Sequence, residues 1–280
     1  MTTMKRLFIF LFAAALLSSN NECFAWGREG HATITHIAER HLTPKVKENL
    51  EKCLDGNSIV LYSSWLDCHR TEHLSWGKLN HVCHYDINTF EPIGTPHKHM
   101  ASTIKKLKNY RELTDSALKV TIYHFIHSFG DYHCPGHVAL YDRSGEKTKR
   151  VHTASYDIYL KTKKSRFEYH ALWDSGIILQ NHSDWGFMDW AHALDSSVPQ
   201  SYIDEVTSGT WEEWIQQTAR RTHEQFDIFR RVPKKPKGTP DNELSVVDRA
   251  MMNEYVEFVS EQLLMGGLRM AKMLNEFFGE

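Results

Sequence analysis

The chain has 280 residues and a formal charge of −2, because 33 lysines and arginines face 35 aspartates and glutamates. This balance excludes a protein that holds nucleic acid through a strongly basic surface alone. The 18 histidines are well above ordinary usage, so metal coordination has to be weighed against coincidental spacing.

The first 25 residues have the pattern of a secretory signal peptide. Lys5 and Arg6 precede an apolar run over residues 7–17, and small residues at Cys23 and Ala25 mark a cleavage site. The pattern predicts cleavage after Ala25 and a secreted or periplasmic protein. The apolar run is too short to cross a bilayer, and no later run is long enough either, so we expect no membrane span.

The mature chain, residues 26–280, predicts one mainly α domain with few short strands. Helical periodicity and start signals define its helices. They are expected near residues 34–42, 44–54, 61–70, 100–110, 115–131, 169–174, 185–195, 199–207, 211–229 and 244–278. The last helix contains Gly266-Gly267, which would permit a break. Loops are expected at residues 76–86 and 232–240, and the polar stretch 138–168 carries strand signals only near residues 155–160.

Four cysteines remain after cleavage of the signal peptide, namely Cys53, Cys68, Cys83 and Cys134. In an oxidising compartment these thiols are able to form two disulfides. The sequence does not choose among the three full pairings.

The stretch over residues 124–137 carries the strongest chemical pattern in the chain. It ends an apolar helix, so His127 and Asp131 lie at positions i and i+4 on one helix face. His137 follows a Pro-Gly pair, which ends the helix and lets this side chain approach from another direction. Imidazole and carboxylate ligands in such an arrangement are typical of zinc sites.

The same His-x-x-x-Asp spacing occurs twice more in the chain. One pair is His170 and Asp174, and the other is His223 and Asp227. The last pair has no neighbouring cluster in the sequence, so we interpret it as part of a solvated helix face.

Five motifs follow one another along the mature chain. They are Trp26 with G-x-x-G-H over residues 27–31, S-S-W-x-D-x-x-R over 63–70, H-x-x-G-D-x-x-x-P-x-H over 127–137, H-x-x-W-D over 170–174, and G-G-x-R-x-A over 266–271. Their order and spacing resemble the zinc-dependent single-strand nuclease and phospholipase C superfamily, and the last two favour its nuclease branch. The resemblance implies a compact helical fold with a trinuclear zinc cleft.

The resemblance also implies a ligand set on the matching residues. The first zinc would be held by Asp67, His81, His127 and Asp131, and the second by His137, His170 and Asp174. The third would be held by the α-amino nitrogen and carbonyl of Trp26, by His31 and by the second oxygen of Asp131. Zinc ions about 3.5–4 Å apart can share a hydroxide that attacks phosphorus in line.

Three further assignments follow from the resemblance. Arg70 would bind a phosphate oxygen or, alternatively, pair with a ligand carboxylate. Asp86 would assist the nucleophilic water, although its offset departs from the family pattern if His81 is the ligand, and Asp131 would be catalytic through the two metals that it bridges. The run H-V-C-H-Y-D departs from the family's His-Phe/Tyr-x-Asp/Asn pattern, so His84 is an alternative to His81 as the ligand.

Other residues near these motifs are expected to support the site without binding metal. His124 and His133 flank the central stretch and are candidates to orient the ligands. Trp65 and Trp173 adjoin ligand aspartates, and we expect them to pack in the core. Cys134 stands where the family has Gln in its Gln-Pro-Leu-His run, which is a second departure.

The function implied by the resemblance is that of an exported zinc phosphodiesterase. We expect a single-strand-preferring endonuclease on DNA and RNA that gives 5′-phosphates, with 3′-nucleotidase activity in addition. The alternative is a zinc-dependent phospholipase C on lipid headgroups, and a protein in which zinc only stabilises the fold is a third reading. Single-stranded nucleic acid or nucleotides would be the substrate, and we expect a monomer with no stable protein partner.

Overall fold

The computed structural model describes residues 26–69, 82–225 and 228–279, and the predicted signal peptide lies outside them. Helices dominate, which confirms the mainly α prediction. The helices are α1 (Arg28–Arg40), α2 (Pro44–Cys53), α3 (Trp65–Cys68), α4 (Gly94–Lys108), α5 (Asp115–Asp131), α6 (Tyr169–Ala171), α7 (Ile177–Asn181), α8 (Phe187–Asp195), α9 (Gln200–Val206), α10 (Trp211–Arg220), α11 (Ile228–Arg231) and α12 (Arg249–Phe278). Within the described ranges, no helix combines the length and the apolar character needed to cross a bilayer.

Helix α5 occupies the centre of the molecule. The hydroxyl of Thr114 caps its start by accepting a hydrogen bond from the amide of Ala117. From residue 121 to residue 131 every side chain is buried, so this half of the helix contacts protein on all sides. The polar residues at the end of α5 are therefore held deep inside the fold.

Helix α12 is continuous over 30 residues and packs against α1. The closest approach is at Gly267, where a Cβ would lie 2.6 Å from Cγ2 of Ile37 and 2.9 Å from the carbonyl oxygen of Ile34. Glycine here permits two helices to touch, and the expected break at the glycine pair is wrong because α1 supports the helix through this point.

Strands form two small sheets, of which the sequence predicted only a part. The strands are β1 (Cys83–Asp86), β2 (Pro92–Ile93), β3 (Val138–Asp142), β4 (Lys149–His152), β5 (Asp157–Leu160), β6 (Ser165–Glu168) and β7 (Val246–Val247). The first sheet has the order β2-β1-β3-β4 and the second β6-β5-β7. The prediction of a loop over residues 76–86 is wrong for β1, which pairs in parallel with β3 and so is stabilised by a distant segment.

The four cysteines are free thiols in this structure, so the prediction of disulfides is wrong for it. Cys83 and Cys134 are buried, Cys53 is half-buried, and Cys68 is exposed on the surface. The thiol of Cys134 faces the carboxylate of Asp174, with 3.8 Å between Sγ and Oδ1.

The third His-x-x-x-Asp pair also differs from its prediction. His223 is half-buried, and its ring lies 5.7 Å from that of Phe90 and 6.3 Å from that of Phe229. It therefore contributes to packing and not to a solvated face. Asp227 lies outside the described residues.

Candidate metal centre

Helix α5 supplies two donors, because His127 and Asp131 lie one turn apart on the same face, as their spacing predicted. Both side chains are fully buried. Nδ1 of His127 lies 2.9 Å from the carbonyl oxygen of Ser63. The tautomer that donates from Nδ1 to this carbonyl leaves the lone pair of Nε2 facing Oδ2 of Asp131, at 3.5 Å.

Helix α1 brings His31 to the same place. Its ring stacks on that of His127 with 4.1 Å between centroids, and its Nε2 lies 3.2 Å from Oδ1 of Asp131. Burial lowers the pKa of His31 to about 4, against the opposing effect of Asp67. The ring is therefore neutral at physiological pH, which is the form that binds a metal ion.

Asp67, on the one-turn helix α3, completes what we call the first donor group, together with His31, His127 and Asp131. Its Oδ1 lies 3.7 Å from Nε2 of His127, and its Oδ2 lies 4.0 Å from Nε2 of His31. Both carboxylates of the group thus turn one oxygen toward each histidine. This arrangement suits carboxylates that bind cations together with the two histidines.

A second donor group consists of His137, His170, Asp174 and Cys134. Nε2 of His137 lies 3.3 Å from Oδ1 of Asp174, and Nε2 of His170 lies 3.1 Å from Oδ2 of the same carboxylate. Nδ1 of His170 is 2.8 Å from the carbonyl oxygen of Gly136, so this ring is oriented in the same way as that of His127. His137 lies on the 3-10 turn Pro135–His137, which Cys134 precedes, His170 lies on α6, and Asp174 lies on the π-helical turn Leu172–Gly176.

Charge interactions within the second donor group are strong. Burial alone would lower the pKa of His170, but Asp174 outweighs it and raises this pKa to about 9. Burial alone would raise the pKa of Asp174, but His170 and His137 outweigh it and lower this pKa to about 2. Without metal the two residues form an ion pair, and a metal ion that binds Nε2 of His170 has to displace a proton.

The start of α1 connects the two donor groups. The indole Nε1 of Trp26 donates a hydrogen bond of 2.8 Å to the carbonyl oxygen of Gly130, next to Asp131. The amide nitrogen of Gly27 donates one of 2.6 Å to the carbonyl oxygen of Asp174. Trp26 is fully buried, so the residue after the predicted cleavage site lies between the first and second donor groups.

The donors fit metal ions. Asp67, Asp131 and Asp174 are each at most 4% exposed, and burying carboxylates is costly unless cations compensate them. Within the described residues, donor atoms of His31, His127 and Asp131 lie within 4.8 Å of one another, as do those of Cys134, His137 and Asp174. Zinc bonds of about 2.0–2.1 Å in a tetrahedron place neighbouring nitrogen and oxygen ligands about 3.3 Å apart. At each of the four histidines, the shortest distance from Nε2 to a carboxylate oxygen is 3.1 to 3.5 Å.

A cleft of about 980 Å³ opens beside Asp67. One wall is apolar and includes Tyr62, Trp65 and Phe187, together with Leu61 and Met188, which are 67% and 61% exposed. The opposite wall is the polar face of α1 and contains Arg28, Glu29, His36 and Glu39. Among the described lining residues, the acidic side chains of Glu29, Glu39 and Asp67 outnumber the arginine Arg28, so flat, uncharged groups match this part of the lining better than phosphates do.

A sequence model described as S1/P1 Nuclease matches residues 26–279. The chain belongs to the S1/P1 nuclease family. It is therefore a hydrolytic nuclease, and its family is metal-dependent. This confirms the resemblance drawn from the five sequence motifs.

Curated S1/P1-type relatives cover nearly the whole chain. Endonuclease 2 of Arabidopsis thaliana is 25% identical over 94% of this chain and 94% of its own length. Nuclease PA3 of a Penicillium species is 20% identical over 91% of this chain and 98% of its own length. Endonuclease 5 of Arabidopsis thaliana is 22% identical over 90% of each chain.

The structure brings most of the predicted ligands of this S1/P1 nuclease together. Two donor groups, with Trp26 between them, contain His31, Asp67, His127, Asp131, His137, His170 and Asp174. His81 and Arg70 lie outside the described residues. His84 packs its ring on Tyr141 at 4.8 Å, on the half-buried face of β1, and is not part of either donor group.

Asp86 lies at the far end of β1 from the second donor group. In the parallel register Cys83 is opposite Val138, next to His137, whereas Asp86 is opposite Tyr141. Oδ1 of Asp86 accepts a hydrogen bond of 2.8 Å from the amide of Asn88. A catalytic role for Asp86 stays a prediction.

Two backbone carbonyls orient rings of the predicted ligands. His133 lies against Gly266 of α12, with its Nδ1 2.9 Å from the carbonyl oxygen of Phe129, and the ring of His124 lies 5.1 Å from that of His99. Orienting roles for these two histidines stay predictions. The carbonyls of Ser63 and Gly136 orient the rings of His127 and His170. Backbone carbonyls carry no sequence signal, so only the fold identifies them.

Two tryptophans next to ligand aspartates have different environments. Trp173 is fully buried against Tyr255 and Phe258, as predicted. Trp65 is half-buried, stacks on His69 at 4.5 Å and lines the cleft. Cys134 was not predicted as a donor, although its Cys-x-x-His spacing to His137 is typical of zinc ligands.

Proposed function

We propose that this S1/P1 nuclease is an exported zinc enzyme that cleaves phosphodiester bonds in unpaired DNA and RNA, releases 5′-phosphates and also removes 3′-phosphates from nucleotides. The observation that carries the proposal is the position of two buried donor groups beside an apolar cleft. The donors supply a site for cations, and the cleft supplies a site for the uncharged part of a substrate.

Three zinc ions are assigned to the donors. The first is held by Asp67, His81, His127 and Asp131, the second by His137, His170 and Asp174, and the third by His31, Asp131 and the amino nitrogen and carbonyl of Trp26. Oδ1 of Asp131 faces His31, and Oδ2 faces His127. This supports the assignment of the Asp131 carboxylate to two ions. Removal of residues 1–25 is part of the proposal, because only cleavage converts the amide of Trp26 into an amine that can bind metal.

Bound zinc supplies Lewis acidity toward phosphate and a water that ionises near neutral pH. The protein supplies orientation and charge. His127 and His170 are held by the carbonyls of Ser63 and Gly136, so both Nε2 atoms are fixed before metal binds. Arg70 is proposed to donate hydrogen bonds to a phosphate oxygen, and Asp86 to accept a proton from the attacking water.

Unpaired strands are the preferred substrate because the reacting phosphate has to reach buried donors. A base beside that phosphate can enter the cleft only after it has left the duplex stack, and unstacking costs free energy. Aromatic and aliphatic side chains around Tyr62 and Phe187 offer the base an apolar surface in return.

Lipid headgroups are the competing substrate. The matching family and all three curated relatives are nucleases, and this favours nucleic acid over lipid. The apolar residues Leu61 and Met188 at the cleft would also suit a lipid chain, so both substrate classes belong in the same experiment.

The experiment combines elemental analysis of the purified protein with a substrate panel. The panel contains single-stranded DNA, the matching duplex, RNA, 3′-nucleotides and phosphatidylcholine vesicles. We expect close to three zinc ions per chain, faster cleavage of single strands than of duplex, and 5′-phosphate ends. Hydrolysis of the vesicles without cleavage of any nucleic acid would overturn the proposed substrate class. Fewer than two zinc ions per chain would overturn the proposed mechanism.

A further inference from the structure

Cys134 carries a buried thiol and is not among the zinc ligands proposed above. It lies three residues after the end of α5, and its amide donates a hydrogen bond of 2.9 Å to the carbonyl oxygen of Asp131. Its own carbonyl accepts one of 3.0 Å from the amide of His137. The residue is fully buried, so backbone contacts fix the thiol between a ligand of the first donor group and one of the second.

The sulfur lies at ligand distance from its neighbours. Sγ of Cys134 is 3.8 Å from Oδ1 of Asp174, and Sγ lies within 4.8 Å of a donor atom of His137. A tetrahedral zinc ion with a sulfur bond of about 2.3 Å and nitrogen or oxygen bonds of about 2.0–2.1 Å places sulfur about 3.5 Å from its neighbours. The 3.8 Å from Sγ to Oδ1 of Asp174 is close to this value.

We propose that Cys134 is a thiolate ligand of the metal ion that His137, His170 and Asp174 hold. The inference rests on the proposed metal centre, but it adds a ligand that the assignment above does not contain. On binding, the S–H bond breaks, a sulfur to metal bond forms, and the proton leaves to solvent. The charge of the ion removes the difficulty of forming an anion next to Asp174.

A thiolate makes the two donor groups chemically different. The first donor group offers only nitrogen and oxygen, whereas the second would offer two imidazoles, a carboxylate and a sulfur. Sulfur is a soft ligand, so the second donor group should retain thiophilic ions such as Cd²⁺ when the first has lost them. The competing arrangement is a neutral thiol that donates a weak hydrogen bond to Asp174 and never contacts the metal.

The test uses the sulfur to metal bond itself as the readout. The purified protein is stripped of metal and reloaded with Co²⁺, and thiolate to cobalt charge-transfer absorption is recorded in the near ultraviolet. The same measurement is made on Cys134→Ser and on two matched controls, Cys83→Ser for a buried cysteine and Cys68→Ser for an exposed one. We expect the absorption in the parent protein and in both controls, and its loss in Cys134→Ser.

X-ray absorption of the zinc-loaded parent protein needs no variant and covers the case in which Cys134→Ser fails to fold. One zinc to sulfur distance of about 2.3 Å per chain is expected. A fully loaded protein that cleaves nucleic acid but shows no sulfur scattering overturns the thiolate and leaves the proposed function intact. A protein that binds neither zinc nor cobalt overturns both.

Discussion

The carboxylate of Asp131 turns Oδ1 toward His31, with 3.2 Å between Oδ1 and Nε2, while its second oxygen faces His127 at 3.5 Å. The side chain of Asp131 on α5 thus faces one donor on its own helix, His127, and one on α1, His31. Few side chains other than a carboxylate can serve two cations in this way, because each oxygen carries part of the negative charge.

Asp131→Asn should therefore remove nuclease activity by more than about 100-fold and lower the zinc content, since loss of even an outer partner of a ligand costs 10–100-fold. The amide nitrogen does not bind metal, and the lost charge no longer offsets the cations. Elemental analysis and a cleavage assay on single-stranded DNA check this. Asp204→Asn, at an exposed position on α9, is the matched control and should behave like the parent protein. Equal zinc content in the two variants would contradict the bridging role.

A protein that starts with an additional methionine before Trp26 should bind one zinc ion fewer than the processed protein and lose most of its activity. The extra residue turns the amine of Trp26 back into an amide, whose lone pair is delocalised. Trp26→Phe with a free amine should keep its metal, although it loses the indole hydrogen bond to Gly130 and some stability. Circular dichroism verifies that both proteins are folded. Equal zinc content in the extended and processed proteins would rule out the amine as a ligand.

Removal of metal with a chelator should lower the melting temperature as well as the activity. Asp67 and Asp131 are buried, and without cations their charges repel each other in a medium of low dielectric constant. Calorimetry with and without the chelator measures the effect, and added zinc should restore both properties. An unchanged melting temperature after complete metal removal would show that other groups compensate these charges.

The stability of the protein should fall as the pH drops below about 6.5, and His152 should contribute to this fall. Burial lowers the pKa of His152 to about 3, and the positive charges of His223, Lys234 and Arg150 act in the same direction. Between pH 6.5 and pH 3 the unfolded chain binds the proton and the folded chain does not, so acid favours unfolding.

His152→Gln should flatten the dependence of the unfolding free energy on pH in this window. The reduction is at most about 1.4 kcal/mol per pH unit, the value for one proton. Urea denaturation at a series of pH values, at constant metal content, provides the slopes. The same substitution at exposed His192 is the control. If the unfolding free energy of His152→Gln depends on pH with the same slope as that of the parent protein, His152 does not contribute to the loss of stability in acid.

Substitution of Leu61 and Met188 by serine should raise the KM for single-stranded DNA about three- to tenfold, since each loses apolar contact worth about 1 kcal/mol or less. Both side chains are exposed at the cleft, so the fold should be unaffected. Val151→Ser changes an exposed apolar residue away from the cleft and should leave the KM unchanged. A KM that rises equally in both proteins would argue against the cleft as a base site.

The candidate site was predictable where its signal is local. The spacing of His127 and Asp131 places both side chains on one helix face, and the motif order identified seven predicted side-chain ligands that the structure brings together in two groups. The strands were predicted poorly, because β1 and β3 have four and five residues and depend on each other for pairing. A segment of that length has too few positions for a reliable period.

Composition and periodicity by themselves determined that the chain is mainly helical, that its net charge is close to zero, and that histidines and aspartates recur at ligand spacing. Only the tertiary structure decided which atoms meet. Ser63 orients His127 from 64 residues away, and Trp26 reaches Gly130 across 104 residues. The thiol of Cys134 faces Asp174 for the same reason. Helical periodicity is set by neighbours within one or two turns, whereas contacts between distant segments depend on how complete helices pack, and that packing is a property of the whole chain.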